Sequence, residues 1–109
     1  LGSSYVARLT VLHVRQLRAA LLRAMSKEGF RFIEILSPCP TGFGRPNNIG
    51  DGLSEMQNYL RRCEVNNNID LHKVDIDLTH KDSPIYVGDF VDVDRPSFRP
   101  HIAHHATAQ

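Results

Sequence analysis

One cysteine has neighbours that suggest chemistry. Cys39 lies between Pro38 and Pro40, within residues 38–52, a segment dense in proline, glycine and asparagine. Proline fixes its own φ and lacks a backbone N–H, so the two prolines stiffen the chain on both sides of the thiol. Iron–sulfur clusters are held mainly by cysteine thiolates. Cysteine is also common as a small buried hydrophobe, and composition alone favours that ordinary role.

The same segment contains polar side chains that could contact an anion or another subunit. Arg45 offers a fixed fork of N–H donors for anions, and Asn47 and Asn48 follow it closely. Ordinary loop packing and solvation would explain the three residues equally well. We therefore take Arg45, Asn47 and Asn48 as candidate contacts to a cofactor or an interface, with no role assigned.

The histidines predict no active site. His13 lies near the start of a predicted helix, where the helix dipole disfavours its cation, so packing in a core or an interface is the favoured interpretation. His101, His104 and His105 have a spacing that is compatible with a metal. They follow Pro100 in a terminus that we expect to fray, so we predict adventitious metal binding at most.

Two further groups of candidates are expected to be structural. Cys63 follows two arginines at a predicted helix end, where the dipole does not favour a thiolate. Asp89, Asp92 and Asp94 lack the glycine-bearing loop and the glutamate of a calcium site. We expect these aspartates on the solvated side of a strand and turn.

The elements that precede Cys39 form a predicted βαβ unit. Residues 4–8 and 30–36 predict strands, and residues 11–27 predict a helix with Thr10 as N-cap and Gly29 as the C-terminal stop. The apolar residues of this helix recur at the spacing of a helical face: Val11, Val14, Leu17, Ala20, Leu21, Ala24 and Met25. This order of elements predicts a parallel sheet with a right-handed crossover, whose remaining strands must come from elsewhere.

The rest of the chain predicts a C-terminal extension. Residues 53–63 predict a second helix and residues 85–91 a further strand. The helix face expected to reach the core carries Leu53, Met56 and Leu60. We expect one α/β domain with a parallel sheet and flanking helices, in three parts: residues 1–37, 38–52 and 53–109.

Composition excludes several classes of function. The chain has 109 residues, and its 13 Lys and Arg nearly balance its 12 Asp and Glu, so no bulk charge favours nucleic acid or an anionic membrane. No apolar run approaches the ~20 residues of a membrane span. Without a signal peptide or a disulfide pattern, we expect a cytoplasmic protein. The chain begins with Leu1 rather than Met, so we expect a fragment.

Four collinear segments resemble the β subunits of 2-oxoacid:ferredoxin oxidoreductases, most closely the 2-oxoglutarate branch. The central one is Ser-Pro-Cys-Pro-Thr-Gly-Phe-Gly-Arg at 37–45. The others are Tyr-Val-Ala-Arg at 5–8, His-Val-Arg-Gln-Leu at 13–17, and Gly-Asp-Phe-Val-Asp at 88–92 leading to Arg95 and Pro96. The resemblance covers nearly the whole chain and is weakest at residues 66–83 and in the tail.

The resemblance implies a function and a site. Such enzymes decarboxylate a 2-oxoacid on thiamine diphosphate with Mg²⁺, pass electrons through [4Fe–4S] clusters to ferredoxin, and release an acyl-CoA. Cys39 matches the last ligand of the cluster nearest the thiamine. The other three ligands and the diphosphate motif are expected upstream and are absent here. The chain thus resembles the end of a thiamine-diphosphate-binding domain that needs the rest of its β subunit and an α subunit, and alone it should be inactive.

One triplet in the loop matches a cofactor-binding motif but is not expected to bind a cofactor. Thiamine enzymes begin their Mg²⁺–diphosphate site with Gly-Asp-Gly after a strand, and the same triplet occurs here at residues 50–52. It follows a loop instead of a strand and lies beyond Cys39, whereas the family motif precedes the cysteine. We interpret it as a turn and a helix entry.

Two other classes of function stay open. The chain could be a non-catalytic assembly or regulatory module derived from this family, in which the Cys39 loop binds a partner. It could also be a small-molecule-binding α/β domain without a redox role, although a βαβ unit alone would leave sheet edges and helix faces uncovered. The resemblance does not establish which 2-oxoacid is used.

Overall fold

A computed structural model describes residues 2–80 and 82–97 of the chain. Its helices and strands are β1 (Tyr5–Thr10), α1 (Val14–Ser26), β2 (Arg31–Leu36), α2 (Gly52–Arg62), β3 (Cys63–Val65) and β4 (Ile85–Asp92). A π-helical turn at Pro40–Gly44 and a 3₁₀ turn at Leu71–Lys73 lie in the connections. Within these residues, no helix has the length and apolar content needed to cross a membrane.

The four strands form one mixed sheet in the order β2-β1-β4-β3. β1 and β2 pair in parallel around α1, which confirms the βαβ prediction. β4 pairs antiparallel with β1, and β3 pairs in parallel with β4. The α/β class is therefore confirmed, but the prediction of a wholly parallel sheet is wrong. β4 and β1 lie near opposite ends of the chain. The residue pattern within a strand does not encode whether such a distant pair runs parallel or antiparallel.

Helix α1 begins later than predicted, because Thr10 completes β1 instead of capping the helix. The Thr10 hydroxyl accepts a hydrogen bond from the Leu12 N–H at 3.2 Å and shares another with His13 Nδ1 at 2.8 Å. His13 is the N-cap residue, and its side chain makes no capping bond. Gly29 has φ +79°, as expected of a glycine stop. An added Cβ there would lie 2.5 Å from Ser4 Oγ, so the position also needs glycine for space.

Two apolar clusters form the core. The first joins β1 to α1 through Tyr5, Ala7, Leu9, Ala20 and Ala24, with Leu17 and Ile33 packed against it. The second joins β2, α2 and β4 through Leu36, Tyr59, Ile85 and Val87. Only part of the predicted face of α1 is buried, because Val14 and Met25 remain mostly exposed.

Helix α2 packs with the opposite face from the one predicted. The apolar side chains expected in the core are exposed: Leu53, Met56 and Leu60. Glu55, Tyr59 and Arg62 are buried instead. The Arg62 guanidinium donates to the carbonyl oxygens of Ser83 at 2.8 Å and Asp77 at 2.5 Å, and burial lowers its pKa. The inner face of α2 is polar because it lies against loop backbone that needs hydrogen-bond partners.

The end of β4 is tied to α1 by ion pairs, so the prediction that Asp92 lies on a solvated side is wrong. Asp92 pairs with Arg23 and with Lys27, whose Nζ lies 2.9 Å from Oδ1. Asp94 also contacts Lys27 but is almost fully exposed. Asp89 accepts a 2.7 Å hydrogen bond from the Tyr5 hydroxyl. The hydrogen bond from Lys27, with the charge of Arg23, lowers the pKa of Asp92.

These ion pairs predict a loss of stability in acid. A carboxylate whose pKa is lower in the folded state stabilises the fold above its unfolded pKa of about 4, and that contribution is lost as the pH falls below it. We expect Asp92→Asn to lower the melting temperature at pH 7 and to show a smaller further decrease between pH 5 and pH 3 than the wild type. Thermal unfolding at stepped pH measures both. Asp94→Asn is the exposed control, and equal profiles for the two variants would contradict the assignment.

Candidate functional site

Cys39 lies just after the buried end of β2, where the chain enters the π-helical turn. Its carbonyl oxygen accepts hydrogen bonds from the N–H groups of Phe43 at 2.9 Å and Gly44 at 3.0 Å. The Arg45 N–H donates to the Pro40 carbonyl at 2.9 Å and closes the turn. Such wide turns are rare and occur often at functional sites. The backbone that carries the thiol is therefore fixed by hydrogen bonds on its C-terminal side.

The thiol itself is exposed, which argues against the ordinary role of a small buried hydrophobe. A Cβ added at Gly42 would lie 3.2 Å from Cys39 Sγ, closer than most Cβ contacts, so this glycine leaves space beside the sulfur. Within residues 2–80 and 82–97, no group of three or more His, Cys, Asp or Glu could hold a metal. The residues present fit one thiolate ligand to a cluster, and the remaining ligands would have to come from elsewhere.

A buried carboxylate holds the N-terminal side of Cys39. The Cys39 N–H donates to Glu55 Oε2 at 2.9 Å, and Glu55 is only 2% exposed. Sequence reasoning missed this residue, because a bond from a side chain to a backbone amide leaves no motif. The one signal that could have found it is its spacing from Tyr59 and Arg62, which places all three on one face of α2.

The Gly-Asp-Gly triplet is a helix entry, as predicted. Asp51 is the N-cap of α2, and its Oδ1 accepts hydrogen bonds from Ser54 N at 2.9 Å and Ser54 Oγ at 2.8 Å. These bonds lower the pKa of Asp51, chiefly the one from the Ser54 backbone. The carboxylate is therefore used in capping, and the cap sets the start of the helix that delivers Glu55.

Close backbone approach packs the loop against Glu55. A Cβ added at Gly44 would lie 2.3 Å from Glu55 Oε1 and 2.8 Å from the Gly50 carbonyl oxygen. The Ile49 N–H donates to the Gly44 carbonyl at 2.8 Å, which folds the loop back on itself. Asn48 and Gly50 make this return with positive φ values of 55° and 111°. Gly44 is thus required by the carboxylate beside it.

Arg45, Asn47 and Asn48 lie on the exposed side of the same loop. Asn47 Nδ2 donates to the Phe43 carbonyl at 2.8 Å, and the Asn48 N–H donates to the Arg45 carbonyl at 3.2 Å. Asn48 also lines an open polar cleft of about 360 Å³ with Arg61 and other residues of α2. The structure places all three residues in the Cys39 loop, where the Asn47 side chain and the Asn48 backbone N–H support the turn.

The other candidates have structural surroundings. Cys63 is half-buried beside the second core cluster, and burial raises the pKa of its thiol, as expected of a structural cysteine. His13 is half-buried and hydrogen-bonded to Thr10, and its packing in a core or an interface stays a prediction. His101, His104 and His105 lie outside the described residues.

Comparison with known proteins finds similarity to KorB subunits of 2-oxoglutarate synthase along most of the chain. No protein-family model and no solved structure matches the chain. The KorB subunit of 2-oxoglutarate synthase from Methanocaldococcus jannaschii is 38% identical over 98 residues, which is 89% of this chain and 34% of that subunit. The KorB subunit from Methanothermobacter marburgensis is 35% identical over 95 residues, which is 87% of this chain and 32% of that subunit.

The chain is a KorB-like sequence. The resemblance to 2-oxoacid:ferredoxin oxidoreductase β subunits is thereby confirmed, with the 2-oxoglutarate branch as its match. A third KorB subunit, from Methanothermobacter thermautotrophicus, is 36% identical over 95 residues. The chain spans about a third of the length of these KorB relatives.

The contact between Gly44 and Glu55 generates a prediction about the loop. We expect Gly44→Ala to destabilise the protein by about 1–3 kcal/mol, because the added methyl group overlaps a carboxylate oxygen and a carbonyl oxygen. Urea unfolding measures the change. Gly52→Ala is the matched control, since its Cβ would meet only Pro40 Cγ at an ordinary 3.5 Å. Similar losses in both variants would show that the Gly44 contact is not the cause.

Proposed function

We propose that the chain is part of the β subunit of a 2-oxoglutarate:ferredoxin oxidoreductase and that Cys39 is one thiolate ligand of its [4Fe–4S] cluster. The observation that carries the proposal is the exposed Cys39 thiol on a fixed turn, in a chain that is KorB-like along most of its length. Cluster ligation needs a thiolate that is reachable by iron and held by a rigid backbone.

The chain's own part in the reaction is to hold that thiolate. When bound, thiamine diphosphate with Mg²⁺ would supply the decarboxylation chemistry, and the cluster would carry electrons towards ferredoxin as an acyl-CoA is formed. The prolines on both sides of Cys39 and the hydrogen bonds to its carbonyl restrict the backbone that carries the sulfur. Arg45, Asn47 and Asn48 form the exposed side of this loop, and we assign them to an interface or to the surroundings of the cluster.

The proposal requires partners for the chain. Three further cluster ligands and the main Mg²⁺–diphosphate contacts would come from the remainder of the β subunit, which completes the thiamine-diphosphate-binding domain. The α subunit, ferredoxin, CoA and the 2-oxoacid complete the system, and the chain alone would be inactive. Thiolate ligation needs reduced cysteine, so we place the complex in the cytoplasm.

Exposed apolar side chains support such an assembly. They occur on α1, on α2 and around β2: Val14, Leu22, Met25, Phe30, Phe32, Leu53 and Leu60. Exposed apolar side chains on several elements are in keeping with a surface that other protein segments cover. No run of positive charge accompanies it, in keeping with protein partners instead of nucleic acid.

Replacement of the thiol tests the proposal. In the intact complex, we expect Cys39→Ser to lose about one four-iron cluster per copy of the chain and most of the 2-oxoglutarate- and CoA-dependent reduction of ferredoxin, because a hydroxyl is a poor cluster ligand. Iron analysis and the visible absorption spectrum measure the loss. Cys63→Ser should keep the cluster, since Cys63 is a core residue.

The opposite result would be equally clear. A Cys39→Ser complex with unchanged iron content and spectrum would remove Cys39 from the ligand set. A wild-type complex that contains no iron would leave the non-catalytic assembly module as the better description of this chain.

A further inference from the structure

We infer that Glu55 is a positioning residue for the Cys39 thiolate, an inference that rests on the proposed function. Glu55 acts through the backbone amide of Cys39, to which Oε2 is bonded at 2.9 Å. The role is to fix the position of the sulfur before and during cluster ligation.

The burial of Glu55 is the first reason. A glutamate is almost never fully buried unless it is paired, yet this side chain is 2% exposed on the inner face of α2. The described residues give Oε1 no hydrogen-bond partner. Each buried polar atom without a partner incurs a desolvation cost, and such atoms require an explanation. The bond from the Cys39 amide to Oε2 offsets part of that cost, so the carboxylate is placed to serve this amide.

The fit of the loop around the carboxylate is the second reason. Oε2 faces the Cys39 amide, and Oε1 lies where a Cβ of Gly44 would be 2.3 Å away. The loop therefore encloses the carboxylate from both sides. A glycine at residue 44 is the condition for this enclosure.

The third reason is that both backbone polar groups of Cys39 are engaged. Its N–H is bound by Glu55, and its carbonyl is bound by the N–H groups of Phe43 and Gly44. The side chain that would bind iron belongs to an exposed residue whose backbone is held in this way. Residues behind a metal ligand commonly orient it in this way.

Two substitutions test whether the role of Glu55 depends on its hydrogen bond to the Cys39 amide. Glu55→Ala removes the acceptor of the Cys39 amide. Glu55→Gln keeps an oxygen that can accept the same bond. Glu64→Ala is the matched control, because Glu64 is an exposed glutamate on β3. All variants are made in the intact complex.

The readout is the rate at which the cluster absorption bleaches in air, together with the electron paramagnetic resonance spectrum of the reduced complex. By analogy with other groups that orient metal ligands, we expect Glu55→Ala to bleach about 10–100-fold faster than the wild type. Glu55→Gln should restore a rate near that of the wild type and the wild-type spectrum. Glu64→Ala should match the wild type in both measurements.

A general loss of stability is distinguished by a further variant. Leu17→Ala weakens the other core cluster, which lies against β1 and α1, without touching the Cys39 loop. If Leu17→Ala lowers the melting temperature as much as Glu55→Ala and bleaches as fast, the positioning role is overturned. If Glu55→Ala retains the wild-type bleaching rate and spectrum, the role is also overturned.

The fate of the Cys39→Ser variant separates this inference from the proposed function. Loss of the cluster in Cys39→Ser with no effect in Glu55→Ala would defeat the positioning role alone. Retention of the cluster in Cys39→Ser would defeat the proposed function, and the positioning role with it. Loss of the cluster in Cys39→Ser and faster bleaching in Glu55→Ala, with rescue by Glu55→Gln, supports both.

Discussion

The inner face of helix α2 carries hydrogen-bonding side chains, and the loops around it depend on them. Glu55 accepts from the amide of Cys39, Tyr59 reaches the Ser37 carbonyl at 3.4 Å, and Arg62 donates to carbonyls near residues 77–83. These contacts are made to irregular backbone, whose polar groups have no strand or helix partner. One helix thus supplies the partners that two long connections lack.

This arrangement explains how a small sheet supports so much irregular chain. The sheet itself is held by the two apolar clusters, which contain few large side chains. Between β2 and α2, and again between β3 and β4, order comes from buried hydrogen bonds with charged groups, which are stronger than neutral ones. At the end of β4, the less buried ion pairs of Asp92 with Lys27 and Arg23 tie the strand to α1.

Sequence reasoning predicted the local features well. The βαβ unit, the helix entry at Asp51 and the glycine conformation at Gly29 follow from residues close together in the chain, where propensity and steric limits act directly. The direction of β4 and the polar inner face of α2 did not follow. Both depend on distant partners, and a regular apolar stripe on α2 looks the same whether its own core or another segment covers it.

The candidate site was predicted to a similar degree. Cys39 was found from its prolines and the surrounding motif, and the structure shows that the thiol is exposed on a fixed turn. Glu55 was not found, since its contact is made to an amide that every residue possesses. Arg45, Asn47 and Asn48 were placed in the correct loop, while the pattern of their hydrogen bonds required coordinates.

The position of β2 has a consequence for assembly. In the part of the chain that the structure describes, β2 is an outer strand of the sheet, and Phe32 and Ile35 on it are about half exposed. Its free edge can accept another strand. A strand added there in parallel would end at the same rim as β2 and would direct its following loop towards Cys39. Extension of the sheet and completion of a site around the thiol would then be a single structural event.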